Sequence, residues 1–593
     1  MKREEVKEQY KWRLEDIFPT DEAWEKDFAL FENDSKAIVK FKGKLSSKAQ
    51  LKACLDYSEY LDKMLGKLYA YAHMRRDENG AVDKYQALCA RIDEAEVKYS
   101  ALCSFISPEL CSQSEEYLYS LISDPDFADY DYAIKGLLRK KKHVLPESEE
   151  KILALSSSMA GSFEDIFGKL DYVDLPLPEI EVGGEKVKLT QGKYSYFLQN
   201  RDEKVRKSAF DGLYETYKSL INTITAIYAG SVKSDNFYAK VRGYGSSLEK
   251  ALYEDNVPVG VYDNLISAVS DNLKSVHEYV ELRRKELGGE IHMYDMYVPI
   301  VDSVEKDYEF EDAFELVLKG LAPLGDEYLS LLKKAKQERW MDVYETENKR
   351  TGAYSWGVYG VHPFVLLNHT GTTHDVFTIA HELGHSLHSH YSSSAQPHSK
   401  AHYSIFVAEV ASTVNEVLLL KYMLKNASDK ASKKYLLSYY LDMFRTTLFR
   451  QTMFAEFEKI SHTFADEGVA LTPMSLSDCY YDLNKKYYGQ SVIHDDYIRY
   501  EWARIPHFYT SFYVYKYATG LTAAVNIAGA ILSEGEKAVE RYKKFLQSGS
   551  TASPYELLKI TGVDLMKKEP FEYAMDEFRK TLSDLAKMTE DKE

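Results

Sequence analysis

Residues 371–392 read GTTHDVFTIAHELGHSLHSHYS. Thr372 or Thr373 suits a helix N-cap, because a side-chain hydroxyl accepts from an otherwise orphaned backbone N–H. Val376, Ile379, Ala380, Leu383 and Leu387 then supply one apolar side. Within this predicted helix stands His381-Glu382-Leu383-Gly384-His385, an H-E-x-x-H pattern. Residues four apart stack on one helix face, so His381 and His385 point the same way and can share a metal ion. Glu382 lies about 100° round the helix from His381, close enough to act on a water at the metal without ligating it. The bland alternative is a polar helix face with two surface histidines. Against it, nine of the 16 histidines fall between His362 and His402. Histidine is the commonest zinc ligand, so the local chemistry points to a zinc hydrolase.

A catalytic zinc takes three protein ligands and keeps a position open. His388 lies about 10 Å along the axis from His381, too far to share one ion. The H-E-x-x-H-x-x-G-x-x-H arrangement is excluded, because His388 and Tyr391 stand where it needs Gly and His. Downstream, Ser404–Glu416 reads SIFVAEVASTVNE, a second predicted helix, apolar except at Glu409 and Glu416. Those carboxylates are two turns apart on one face, and such groups are rarely buried without a partner. Small residues at Ala408, Ala411 and Ser412 allow the two helices to approach closely. Glu409 is assigned as the third ligand and Glu416 as support for a ligating histidine. An exposed helix carboxylate is the other reading of Glu416.

HELGHSLH followed by FVAEVASTVNE resembles the oligoendopeptidase F family and, more distantly, the thimet oligopeptidases. YKWRLEDIFPTDEAW (10–24), RTGAYSWGVYGVHPFVLLN (350–368) and EWARIPHFYTSFYVYKYATG (501–520) extend the likeness over nearly the whole chain. The resemblance implies a cytoplasmic zinc endopeptidase of short peptides, with one Zn2+ per chain. It implies a mainly α, two-lobed helical metallopeptidase fold, with a deep central channel and a small β-sheet next to the H-E-x-x-H helix. By position it makes His381, His385 and Glu409 the zinc ligands and Glu382 the catalytic carboxylate, the same four that the residues suggest. It also implies that a histidine and tyrosines near the C-terminal end bind substrate and stabilise the transition state; His507, Tyr509 and Tyr513 occupy that segment. Thimet-type relatives carry a glycine-rich loop there, whereas IPHFYTSFY (505–513) has no glycine, so Tyr515 and Tyr517 stay open as alternatives.

Composition narrows the partners. Lys+Arg 75 against Asp+Glu 93 gives a formal charge of −18, and no basic-aromatic motif is present, which argues against nucleic acid. Tyrosine is abundant, at 48 residues. Its apolar ring and polar tip suit half-buried helix packing and a peptide groove. Five cysteines, odd in number and without C-x-x-C, fit a reducing compartment. MKREEVKEQYKW lacks the apolar core of a signal peptide, and Leu521–Leu532 is too short and interrupted to span a bilayer. A soluble, cytoplasmic protein with no membrane partner is expected, of unstated oligomeric state.

Along the chain, residues 21–123 read as long packed helices. Asp124-Pro125-Asp126 breaks the pattern, and the basic run Arg139–His143 reads as a solvated helix face. Residues 175–189 read as a hairpin turning at Gly183-Gly184 and as the seam between an N-terminal helical lobe (1–195) and a catalytic lobe (196–593). Helices are expected over 201–287 and 305–338, with strand character at Ile291–Pro299. Gly352–Leu367 reads as one or two strands before the metal helix, whose exposed edge could pair with an extended peptide; a covered structural sheet is the alternative. Residues 430–464 read as a long core helix, and the tail from about Lys587 as fraying.

The expected reaction is metal-assisted hydrolysis of internal peptide bonds, with Glu382 as general base and His507 with Tyr509 or Tyr513 donating to the oxyanion. Two alternatives remain: a metallocarboxypeptidase on a similar helical body, and a peptide-binding protein without catalysis.

Overall fold

The computed structural model describes residues 1–301 and 307–590, most of them helical. The chain forms two units, each assembled from three segments. The first takes Met1–Val144, Glu305–Met423 and Ile527–Val563; the second takes Leu145–Val304, Leu424–Asn526 and Asp564–Glu593.

In the first unit, the helical spacing seen in residues 21–123 becomes a set of packed helices. The longest are α1 (Lys48–Glu78) and α2 (Asp83–Cys103). Trp24, Leu61, Leu68 and Ile92 are fully buried there and share a core with Phe364 and Leu366. Burying side chains of that size contributes about 1.5–3 kcal/mol each. The core therefore fastens the helices to a three-stranded sheet of β1 (Met341–Tyr344), β2 (Tyr354–Trp356) and β3 (Phe364–His369).

The strand order is β1-β3-β2. β3 is central because Phe364–Leu367 is an unbroken apolar run, buried throughout, as a strand covered on both faces requires. β1 runs parallel to β3 and β2 antiparallel, with Tyr354 opposite Leu366 and Trp356 opposite Phe364. β2 is thus an edge strand. One or two strands were expected in 352–367, and two are found, the second running on to His369; β1 was not expected, since MDVY is too short to show a period.

A buried charge cluster holds β1 in place. Lys349 Nζ donates to the carbonyl oxygens of Tyr344 (2.7 Å) and Leu367 (2.6 Å) and pairs with Asp342 at 2.7 Å. Arg3 donates to the same Asp342 (2.6 Å) and to Glu78 (2.7 Å), so the start of the chain is tied to the sheet. Buried charges persist only when paired in this way.

The metal helix α3 (Thr373–Ala395) starts with a capping box. Thr372 Oγ1 accepts from Asp375 N–H (3.2 Å), and the Asp375 carboxylate accepts from Thr372 N–H (2.9 Å) and Thr370 N–H (3.0 Å). Of the two threonines considered, Thr372 is the cap. Two further helices pack on this one, α4 (Ile405–Asn426) and α5 (Glu536–Leu546).

In the second unit the expected hairpin forms, Glu179–Val182 against Glu185–Lys188. Gly183 and Gly184, at φ 60° and 87°, take the left-handed turn positions that need no Cβ. The hairpin lies within this unit, whose first residue is Leu145. Residues 430–466 form the expected long helix, continuous through a π turn at Phe444–Phe449.

Strand character at Ile291–Pro299 is not realised. Met293–Asp295 is a single 3-10 turn, and only His292 makes a bridge, to Ile493. The reason is Asp295: its carboxylate accepts from His292 N–H (2.8 Å) and pairs with buried Arg206 at 2.6 Å, which closes the turn against the alternation. Of the helical run expected over 305–338, Phe310–Gly320 and Asp326–Gln337 are helices, while 305–306 lie outside the described residues. The C-terminal helix runs on to Glu590 rather than fraying from Lys587, and Thr589 in its last turn is buried; 591–593 lie outside the described residues.

Candidate metal centre

All residues of this centre belong to the first unit. α3 and α4 cross at Gly384. A Cβ built there would stand 2.6 Å from Ser412 Cα and 2.8 Å from the Ala411 carbonyl oxygen, so no side chain fits. The small residues read from the sequence at 411 and 412 are the other half of this contact. Fully buried Asn415 locks it, donating to the Ala380 carbonyl (3.0 Å) and accepting from Tyr328 Oη (3.0 Å). Neither Gly384 nor Asn415 was singled out from the sequence, although a glycine inside a strong helix pattern is a signal of close approach.

That crossing sets the ligand geometry. His385 Nε2 and His381 Nε2 are 3.2 Å apart, and Glu409 Oε2 lies 3.6 Å from the first helix histidine and 3.8 Å from the second. Three donors about 2.0–2.2 Å from one ion at tetrahedral angles stand about 3.3–3.6 Å from each other. Two imidazoles and a carboxylate so spaced fit a zinc ion, and they are the one group of three or more His, Cys, Asp or Glu among the described residues with metal-binding spacing. The three side chains remain 18–35% exposed, so the centre is open to a substrate.

Glu416 supports His381 instead of facing solvent. Its Oε1 is 2.5 Å from His381 Nδ1, which fixes the ring and leaves Nε2 toward Glu409. Burial pulls the His381 imidazole down, but the Glu416 carboxylate outweighs it and lifts the pKa to about 9. Burial and the charge on His381 hold His385 down to about 3, so its lone pair is available. Glu382 is 7% exposed and makes no hydrogen bond among the described residues. Burial, with Glu409 and Glu416 adding to it, pushes its carboxyl up to about 7 against the pull of His381. Such a group can take and return a proton near neutrality. His388 stacks on Tyr403 at 3.7 Å and stays outside the ligand set, as its axial distance requires.

β2 lies along α3. Ser355 Oγ is 2.8 Å from Ser386 Oγ, and a Cβ on Gly357 would meet Ser389 at 2.8 Å. Among the described residues no strand pairs with the outer side of β2. Trp356 is half-buried beside Tyr69 (5.9 Å between ring centres) and His73 (6.3 Å), giving that edge an aromatic border.

The C-terminal candidates lie in the second unit, where they divide into two places. His507 and Tyr513 stack with ring centres 6.1 Å apart, and Tyr517 joins them, its hydroxyl 3.4 Å from His507 Nε2. Burial pulls the His507 imidazole down, with Arg450 adding to the effect. Tyr509 is elsewhere: its ring stacks on Phe167 at 4.3 Å, and its buried hydroxyl has no hydrogen-bond partner among the described residues. Tyr515 is fully buried. Of the tyrosines considered, Tyr513 and Tyr517 therefore accompany His507.

Residues 196–577 match peptidase family M3, and residues 109–176 match oligopeptidase F. The chain belongs to family M3, in its oligoendopeptidase F group. It is 44% identical to oligopeptidase PepF of Bacillus subtilis, over 99% of this chain and 88% of that one. It is 37% identical to group B oligopeptidase PepB of Streptococcus agalactiae, over 98% of both. A crystal structure of oligoendopeptidase-F from Enterococcus faecium aligns at TM-score 0.74 with 33% identity, covering 96% of this chain and 99% of that one. A crystal structure from Chlamydophila abortus, of a protein described only as a peptidase, aligns at 0.94 with 36% identity, covering 99% of each chain. The M3 assignment makes the chain a peptidase of a metallopeptidase family, acting on peptides. No helix among the described residues is long and apolar enough to cross a membrane.

Proposed function

We propose that this M3 peptidase is a zinc-dependent endopeptidase that hydrolyses internal bonds of short peptides in the cytoplasm. The observation that carries the reading is the donor triad, three atoms 3.2–3.8 Å apart, next to Glu382, whose carboxyl makes no hydrogen bond among the described residues. His381, His385 and Glu409 would hold one zinc per chain. When bound, zinc supplies Lewis acidity, polarising the scissile carbonyl and acidifying a water. Glu382 takes the proton of the attacking water and passes it to the leaving amine. The open side of β2 offers backbone groups to an extended peptide, which aligns as an added strand. The names of the relatives support oligopeptides as substrates. Among the described residues no disulfide joins the cysteines, which agrees with a reducing compartment.

His507 and Tyr513 donate to the developing oxyanion, with Tyr517 holding His507. This part rests on the family resemblance and on the clustering of the three side chains. Tyr509 takes a packing role in this reading, because its hydroxyl is buried. Residues 196–593 are proposed as the catalytic stretch and 1–195 as the N-terminal lobe.

The test is hydrolysis of a quenched fluorescent peptide blocked at both ends, with and without a chelator. Internal cleavage that the chelator stops and zinc restores is expected. Cleavage only after the C-terminus is unblocked would replace this reading with a carboxypeptidase. Intact peptide in the presence of bound zinc would replace it with a peptide-binding protein.

A further inference from the structure

Glu458, in the second unit, is a carboxyl that the proposed chemistry does not use. It is fully buried, and its Oε2 has no hydrogen-bond partner among the described residues. Its other oxygen accepts from the backbone N–H of Phe512 at 2.8 Å. Phe512 has φ +60°, a left-handed conformation that a residue with a Cβ rarely takes, and the segment 505–513 offers no glycine to take it instead. The next residue is Tyr513.

The surroundings hold the turn on either side. Ser511 Oγ donates to Asp235 at 2.6 Å, and Lys516 pairs with Asp255 at 2.6 Å. The His462 ring packs on the Phe512 ring at 4.5 Å, and His462 bonds both the Glu458 carbonyl (2.8 Å) and Asp235 (3.2 Å). Burial, with the Asp235 charge adding to it, pushes the Glu458 carboxyl well above the usual range against the pull of the Phe512 N–H. A buried, unpaired carboxyl is expensive to maintain, and its one hydrogen bond among the described residues is to the strained residue.

We infer that Glu458 is a positioning residue for Tyr513: by holding the Phe512 amide it keeps residue 512 in the left-handed turn and so sets where the Tyr513 hydroxyl stands beside His507. The inference rests on the proposed role of Tyr513 in the reaction. Because φ at 512 directs the following peptide, loss of the acceptor releases the turn between its anchors at 511 and 516. Glu458 acts only through the backbone, so any acceptor of the same reach serves.

The experiment is steady-state cleavage of the blocked peptide by the zinc-loaded full chain and its Glu458→Gln, Glu458→Met, Tyr513→Phe and Glu458→Met/Tyr513→Phe variants, each checked for zinc content and thermal midpoint. Glu458→Gln keeps the acceptor and is expected within about twofold of wild type. Glu458→Met keeps the length, removes the acceptor, and is expected to lower kcat by about tenfold or more, with KM moving far less. The double variant should be no slower than Tyr513→Phe alone, because both changes disable one group. If Glu458→Met does not fold, Glu458→Asp, which withdraws the carboxyl by one methylene, takes its place in the same cycle. Losses that multiply in the double variant, or a Glu458→Met enzyme as fast as wild type beside a slow Tyr513→Phe, would overturn the inference alone. A Tyr513→Phe enzyme as fast as wild type would remove the role assigned to Tyr513 and this inference with it.

Discussion

Glu416 Oε1 stands 2.5 Å from His381 Nδ1, and the opposite nitrogen of the same ring faces Glu409 and His385. A carboxylate behind a ligating imidazole fixes the tautomer and raises ligand basicity. Glu416→Ala is expected to weaken zinc binding about tenfold to a hundredfold, read by competition with a chelator of known affinity. Unchanged affinity would reduce Glu416 to a packing residue.

Glu382 is the base in the proposed reaction and is no ligand. Glu382→Gln is expected to keep stoichiometric zinc after dialysis while losing at least about a hundredfold in kcat. Turnover close to wild type in that variant, with zinc bound, would remove the assignment.

Gly384 touches backbone, where nothing can rotate away. Gly384→Ala is expected to destabilise the chain by about 1–3 kcal/mol and lower its thermal midpoint. Because the displaced helix carries Glu409, zinc affinity should fall in the same variant. A variant with wild-type midpoint and zinc binding would show that α3 and α4 can part without consequence.

Asp342 gives a pH dependence. Burial raises its carboxyl, but Lys349 and Arg3 outweigh burial and hold it below the usual carboxylate value. A lowered folded-state pKa contributes stability that is full above the unfolded value, about pH 4, and is lost as pH falls below it. Thermal midpoints of the wild type are therefore expected to drop as pH falls below about 4. Asp342→Asn, less stable at neutral pH because Lys349 is left buried, should show a shallower drop over the same range. Equal slopes for the two proteins would place the acid sensitivity elsewhere.

The grouping of His381, His385 and Glu409 was legible because its information is local: a four-residue step for the histidines, two turns between Glu409 and Glu416, and a threonine cap. The hairpin was legible for the same reason, since Gly183-Gly184 states its own turn. What escaped notice depends on distant partners. Asp295 closes a turn because Arg206 waits 89 residues away. Lys349 looks like any surface lysine until Asp342 and Arg3 enclose it. The tyrosines at 509, 513, 515 and 517 are equivalent in sequence, and the contact with Phe167 is what sets Tyr509 apart.

The first unit draws its last segment from Ile527–Val563, and its Arg3 pairs with Asp342 across 339 residues of sequence. During synthesis the N-terminal helices emerge long before the sheet they pack against, and α5 emerges well over a hundred residues later still. Contacts of such sequence separation are slow to close. The core around Ile38, Leu51, Leu118 and Ile134 can close early, because its residues all lie in the first segment, but the core shared with Phe364 and Leu366 cannot. The first unit can be completed only once its third segment, Ile527–Val563, has emerged, and until then its apolar surfaces are exposed to chaperones.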